Sequence, residues 1–262
     1  MIGIRGIGAA APGIAQANTA SARSAERLAS GKRINRAADD PAALATVQQF
    51  LAIEASVAQG EANFADAASV AAVADGALDS SSDLLGRMRE LSVQAQNGTL
   101  SDSDRAAIQQ EFDALGDEVS RVAASTDFAG KKLLDGSFSG SFEDGLGGPN
   151  PRLDIGDHSA AALGIAGLSA DASATLSALD AARDQVSSSR AKLGATTRRL
   201  DHAGRALGQT REAVTSARSR IGDTDIAAET AKLARSRTLR RLGVNVLRHG
   251  QDESGALLDL LR

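Results

Sequence analysis

LDAARDQVSSSRAKLGATTRRLDHAGRALGQTREAVTSARSRI, residues 179–221, places Leu179, Val186, Leu193, Leu200, Leu207, Val214 and Ile221 at every seventh position. Seven residues are two turns of a slightly underwound helix, so these side chains form one stripe along a rod. At 1.5 Å per residue the rod is roughly 63 Å long, well beyond a typical globular helix. A stripe so narrow is satisfied only against other helices. The fold therefore turns on which helices the rest of the chain supplies.

Composition favours long helices. The four prolines stand at 12, 41, 149 and 151, leaving two proline-free segments of more than a hundred residues. Six Phe with no Tyr or Trp suit thin helical layers filled by Leu, Val and Ala. The formal charge of −4 is mild. With no cysteine, neither a disulfide framework nor thiolate chemistry is available. No run of about eighteen apolar residues exists to span a membrane. Met1–Gly13 has one Arg in a glycine-broken apolar run, a poor match to a cleavable signal peptide, and reads as a flexible end.

Outward from the stripe, residues 14–30 read as a weakly amphipathic helix with Ile14 and Leu28 its only large apolar side chains, stopped by Gly31. After a polar link, Asp40-Pro41 reads as an N-cap followed by proline at the first helical position. From there to Gln96 Phe50, Val57, Phe64, Ala71, Leu78 and Leu85 repeat the spacing of seven, and Asn97-Gly98 supplies the stop. Ser101 and Asp104 form a capping box for a third helix whose face is Ile108, Phe112, Leu115, Val119 and Val122. Glycine and proline then crowd 136–156, which reads as one or two small hairpins and a loop. Helix resumes near Asp171 and carries the opening stripe. Gly222-Asp223-Thr224-Asp225 breaks it and caps a last helix bearing Leu233, Leu239, Leu242 and Val246, ending in Leu257, Leu258, Leu260 and Leu261.

The expected fold is mostly α: a long antiparallel helical hairpin or bundle, with coiled-coil terminal helices and a small β-hairpin region in the middle. Charge favours antiparallel pairing. Glu54 and Glu61 follow their seam by four residues near the start of one rod, as Arg211 and Arg218 do near the end of the other. Each exposed pair is worth tenths of a kcal/mol, so such charges choose register and do not hold the bundle.

Catalysis finds little footing. His158, His202 and His249 are isolated, with no partners at zinc-ligand spacing and no nucleophile elbow or triad. Gly3, Gly6 and Gly8 precede no phosphate-binding lysine. Asn97-Gly98-Thr99 fits a glycosylation pattern, but a helix-stop turn explains the same residues. The rival signal is basic: Lys232, Arg235, Arg237, Arg240, Arg241 and Arg248 with no acid among them. Such a helix can bind nucleic acid or an anionic surface, yet it lacks interleaved aromatics. Arginines pairing across subunit interfaces account for it better.

Several stretches resemble bacterial flagellin: 26–40 (ERLASGKRINRAADD), 87–98 (RMRELSVQAQNG), 99–104 (TLSDSD), 126–136 (TDFAGKKLLDG), 217–225 (ARSRIGDTD) and 257–262 (LLDLLR). They stand in the family's order and cover both terminal regions. Gly31-Lys32-Arg33 and Asp39-Asp40-Pro41 are also similar to the hook–filament junction (hook-associated) protein, while 126–136 and the LLDLLR end favour flagellin.

The resemblance implies a structural, non-enzymatic subunit without cofactor or metal that polymerises with itself into the flagellar filament for swimming. It is exported through the type III apparatus and is extracellular. Residues 1–40 and 223–262 would be the terminal helices of the filament's inner core, 41–130 and 171–222 a long-helix shell, and 131–170 a short segment replacing the outer variable domains. The helix-packing seam would comprise Phe50, Val57, Phe64, Leu78, Leu85, Leu179, Val186, Leu193, Leu200, Leu207, Val214 and Ile221. Arg87, Leu91 and Glu111 match a patch used in polymerisation and read by an animal innate immune receptor. Gly86 stands where recognised members commonly carry glutamine. An export chaperone, a filament cap and hook-associated proteins are the other implied partners; neither nucleic acid nor membrane is expected.

Overall fold

The structure, a computed structural model, describes residues 3–148, 150–170 and 172–260, with side chains described for 11–148, 150–170 and 172–252. Five helices dominate: α1 (Gly3–Ser30), α2 (Pro41–Ala95), α3 (Asp102–Ser125), α4 (Ser173–Gly222) and α5 (Ile226–Leu260). Between α3 and α4 lie two antiparallel pairs, β1 (Asp127–Phe128) with β2 (Lys131–Lys132), and β3 (Ser139–Ser141) with β4 (Arg152–Asp154). The chain forms two compact units, one from residues 1–52 and 213–262, the other from 53–212.

Helix ends follow the local chemistry. The Asp40 carboxylate accepts from the Ala43 amide at 3.0 Å, capping α2 ahead of Pro41. At α3, the Ser101 hydroxyl accepts from the Asp104 amide while the Asp104 carboxylate accepts from the Ser101 amide, the reciprocal box its sequence predicts. Gly31 closes α1 in the left-handed region, φ +69°. The helix starts earlier than expected, at Gly3, so the expected flexible end is helical. Ala9, Ala10 and Ala11 are strong helix formers, and Pro12 costs the segment one backbone bond without ending it.

In the 53–212 unit the core is continuous. Val57, Phe64 and Ala67 from α2 pack with Leu200 and Leu207 from α4. Further along, Leu78, Leu85, Met88 and Leu91 of α2 meet Ile108, Phe112 and Val119 of α3 and Leu179, Val186 and Leu193 of α4. The central segment closes this cluster with Leu133, Leu134, Leu153, Ile155, Leu163 and Ile165, all buried. At about 1.5–3 kcal/mol for each large apolar side chain removed from water, these contacts dominate the unit's stability.

Ions mark the register. Glu61 accepts from Arg211 at 2.7 Å, Arg190 bridges Asp75 at 2.9 Å and Asp79, and Arg89 donates to Asp180 at 2.9 Å. The α2 numbers rise as the α4 numbers fall, so the two helices are antiparallel within this unit. The loop after β3 lies directly on α2. A Cβ at Gly60 would overlap the Asp144 carbonyl, and one at Gly145 (φ +74°) would overlap that of Ser56. Asn63 fastens the same loop by donating to the Glu143 carbonyl at 3.0 Å. His158 is buried, its Nδ1 at 2.8 Å from the Gly156 carbonyl and its Nε2 at 2.9 Å from the Ser189 hydroxyl of α4. This histidine fastens the central segment to a helix.

Candidate assembly surface

The terminal unit is a helix pair of a different kind. Ile14, Ala17, Ser21, Ser24 and Leu28 of α1, at spacings of three and four, are buried or half-buried, with Glu26 and Arg27 half-buried beside them. Their opposite numbers on α5 are Glu229, Leu233, Ser236, Gly243 and Leu247. Ser24 meets Glu229 and Ile14 meets Gly243, so the helices run antiparallel. A Cβ on Gly243 would come within 2.6 Å of Ile14 Cγ1, so glycine is what lets the backbones approach there. Small residues (Ala17, Ser21, Ser24, Ser236 and Gly243) alternate along the seam with Ile14, Leu28, Leu233 and Leu247, and many Cα atoms of α1 and α5 lie within 8 Å of one another.

One carboxylate organises the base of this pair. Glu229 is buried, and Oε1 accepts from the Ser24 hydroxyl at 2.7 Å while Oε2 accepts from Lys232 at 2.9 Å. Arg27 stands 3.8 Å away. The Ser24 hydrogen bond, then the Lys232 bond and the Lys232 and Arg27 charges, hold its carboxyl below the ordinary glutamate range against the opposing effect of burial. The link between α1 and α2 is clasped to the end of α4: Arg33 donates to the Ile221 carbonyl through Nε at 3.0 Å and Nη2 at 2.6 Å, and its amide bonds the Gly222 carbonyl at 2.7 Å. A guanidinium there satisfies orphan carbonyls at a helix C-terminus. The sequence reading missed Ser24, Glu229, Arg33 and Gly243; the three-four spacing of small residues in α1 was the available signal.

Of the expected seam, Val57, Phe64, Leu78, Leu85, Leu179, Val186, Leu193, Leu200 and Leu207 are buried in the 53–212 unit. Phe50, Val214 and Ile221, in the terminal unit, are half-buried. The expected patch divides. Arg87 is exposed and grips Glu111 of α3 through Nε at 3.0 Å and Nη2 at 2.8 Å, with Glu90 at 3.1 Å. Leu91, by contrast, is 1% exposed. This corrects its assignment to a contact patch: it falls three residues after Met88 on the core face of α2 and belongs to the interior.

On α5, Leu239, Leu242 and Val246 are each more than half exposed, whereas Leu233 is half-buried. The expected Leu257, Leu258 and Leu260 lie beyond the described side chains, and Leu261 lies outside the described residues. The terminal unit carries fifteen Lys and Arg against nine Asp and Glu, a net of +6; the 53–212 unit carries fourteen against twenty-four, a net of −10. Among the described residues no group of His, Asp or Glu is arranged to hold a metal ion, and no helix is long and apolar enough to cross a membrane.

The arrangement suits burial against other helices, and comparison with known proteins agrees. The model of the bacterial flagellin N-terminal helical region matches residues 9–139, and that of the C-terminal helical region matches 176–261. The flagellar filament 30.7 kDa core protein of Treponema maltophilum is 35% identical over 257 residues, 90% of each chain. The crystal structure of Bacillus cereus flagellin shares the fold with a TM-score of 0.51 at 29% identity, over 56% of this chain and 88% of that one. A Vibrio parahaemolyticus protein described as flagellar hook-associated gives a TM-score of 0.61 at 19% identity, over 71% of this chain and all of that one, a likeness of fold alone. With both family regions matched on either side of a short central segment, the chain belongs to the bacterial flagellin family.

Proposed function

We propose that this chain is the structural subunit of an extracellular flagellar filament and polymerises with copies of itself to serve swimming motility. The observation that carries the reading is the pair of family matches, 9–139 and 176–261, which together cover most of each of the five helices. The relative that covers nine tenths of the chain is itself a filament core protein. The subunit works by packing, without catalysis. Residues 1–40 and 223–262 form the inner core of the filament, and 41–130 with 171–222 its surrounding shell. The seven-residue seam keeps the shell helices straight and closely packed, as knobs-into-holes contacts do.

The remaining partners belong to the same reading. An export chaperone covers the terminal helices before assembly, and a cap and hook-associated proteins meet the filament at its ends. Arg87 and Glu111 supply an exposed, mutually ordered charge pair at a surface used between subunits, and an innate immune receptor reads the same surface on the free chain. The test is direct. Heat-dissociated chain is expected to regrow long filaments on seeds, seen by electron microscopy, and chain lacking 257–262 is expected not to. A stable monomer under seeding conditions would overturn the reading.

A further inference from the structure

The turn between α2 and α3 holds Asn97-Gly98-Thr99, exposed throughout. Asn97 Oδ1 accepts from the Thr99 amide at 3.1 Å and from the Thr99 hydroxyl at 3.0 Å, an Asx turn. Among the described residues nothing accepts from Asn97 Nδ2 or from the Gly98 amide. A Cβ built on Gly98 would meet nothing within 4 Å, so its nitrogen stands in open space. Each of the other five asparagines lacks this combination. Asn18, Asn63 and Asn245 stand inside α1, α2 and α5, where the next amide is committed to the helix ladder. Asn35 is followed by the Arg36 amide, which donates to Asp39 at 3.1 Å, and its own Nδ2 donates to the Lys32 carbonyl at 3.3 Å. Asn150 precedes Pro151, which has no amide hydrogen.

We propose that Asn97 is a self-modification site, where the folded chain converts its side-chain amide to a carboxylate with water as the only co-reactant. The Gly98 amide gives its proton to water, and its nitrogen lone pair forms a bond to Asn97 Cγ. The bond from Cγ to Nδ2 breaks, and Nδ2 takes up a proton and leaves as ammonia. A succinimide ring remains, closed through Asn97 Cα, Cβ, Cγ and carbonyl carbon and the Gly98 nitrogen. Water then opens either side of that ring. Cleavage at Cγ leaves an aspartate, and cleavage at the main-chain carbonyl carbon leaves an isoaspartate, whose main chain runs through Cβ. Nothing is oxidised or reduced. Glycine hinders the attacking nitrogen least, having no side chain on the adjacent carbon. The two Thr99 donors stay in place through the reaction, because negative charge gathers on Oδ1 as Cγ is attacked and they already point at it. The product alters the turn. The Asn97 carbonyl accepts from the Leu100 amide at 3.2 Å and from Arg105 Nη2 at 3.2 Å, while Arg105 Nη1 holds the Ala95 carbonyl at 2.9 Å. An extra main-chain carbon displaces these partners. The new charge also sits at the C-terminal end of α2, whose last turn carries no basic residue. Each copy thereby carries a covalent record of its age, and the inference stands apart from the filament reading.

The test uses the full chain, folded, held in mildly alkaline buffer and sampled over weeks by peptide mass mapping. The peptide containing Asn97 is expected to gain the mass of acid over amide at least several-fold faster than the peptides containing Asn35 or Asn63. Isoaspartate in that peptide is read by its acceptance of methyl groups from an isoaspartyl carboxyl methyltransferase. Conversion of Asn97 no faster than of Asn35 would overturn the proposal, and this comparison lies within one wild-type chain. Gly98→Val supplies the second arm. Position 98 is open and its φ is not among the positive ones, so the variant keeps the turn while its branched side chain crowds the nitrogen. Its conversion is expected to slow several-fold, with helix content by circular dichroism unchanged; an unchanged rate would rule out attack by that nitrogen. In the aged wild-type chain, hydrogen exchange at the Leu100 amide is expected to quicken in the isoaspartate fraction while that around Phe112 stays as before. Equal exchange at Leu100 in converted and unconverted chain would show that the turn does not register the change.

Discussion

In the 53–212 unit, Leu78, Leu85, Met88, Leu91, Phe112 and Leu179 are fully enclosed by α2, α3, α4 and the central segment. In the terminal unit, α1 and α5 meet through Ala17, Ser21, Ser24, Ser236 and Gly243, and leave Leu239, Leu242 and Val246 in water. Many Cα atoms of these two helices lie within 8 Å of one another. Small side chains permit that approach but remove little apolar surface from water, so the pair is held closely yet weakly. The first unit is built to stand alone. The second is built to be completed.

Truncation in each unit puts the contrast to its strongest test. Phe112→Ala removes a side chain 1% exposed and is expected to cost about 3–5 kcal/mol, read by urea unfolding of the full chain. Leu242→Ala removes one 55% exposed and is expected to cost the monomer less than about 0.5 kcal/mol while slowing seeded growth. Similar losses in the two monomers would erase the distinction. Of intermediate size is Gly60→Ala, whose methyl must displace the Asp144 backbone, at about 1–3 kcal/mol. The Leu146 and Gly147 amides, which donate to Asp144 at 2.8 and 3.0 Å, report the loop's release through faster hydrogen exchange.

Acid should separate the units next. Because the folded state holds the Glu229 carboxyl below its unfolded value, its contribution is fully present above the ordinary glutamate range. It is lost as pH falls through the lower folded value. The α1/α5 pair is therefore expected to lose helix on acidification, with Glu229→Gln flattening that dependence; segment-resolved hydrogen exchange against pH checks it. An α1/α5 pair whose protection stays flat down to pH values far below that range would show that the Ser24–Glu229–Lys232 cluster does not matter to it.

The long seams were legible because Leu, Val and Phe at a period of seven stand out against any background, and only one helical face can receive them. The capping box and the Asp40 cap were legible because each needs only its own neighbours in sequence. The α1/α5 seam was not. Ala, Ser and Gly carry no hydropathy signal, and Gly243 becomes meaningful only once Ile14 is known to lie opposite. Leu91 shows the reverse case: the resemblance placed it on a surface patch, whereas its spacing from Met88 and Ala95 already put it on the buried face. The pairing of Ser24 with Glu229, 205 residues apart, has no local signature at all.

The smallest effect concerns the ion pairs along α2 and α4. Glu61–Arg211 was anticipated from charge order, Arg190–Asp75 repeats it, and Arg89–Asp180 joins the same two helices with the charges reversed. Arg89 and Asp180 are about half exposed, so Arg89→Ala is expected to cost less than about 0.5 kcal/mol. Were that the end of the matter, these charges would be ornament. A heptad seam, however, is nearly indifferent to a slip of seven residues, since Val186, Leu193 and Leu200 can each occupy the next layer with similar burial. A slip would carry Arg190 away from Asp75 and Arg211 away from Glu61 together, so several weak pairs jointly oppose a change that the apolar seam barely resists. Reversing both ends, with Arg89→Asp and Asp180→Arg in one chain, should restore the stability and register that either change alone perturbs, measured by a double-mutant cycle. A coupling of zero would mean that the capped turns and the central segment set the register without the charges.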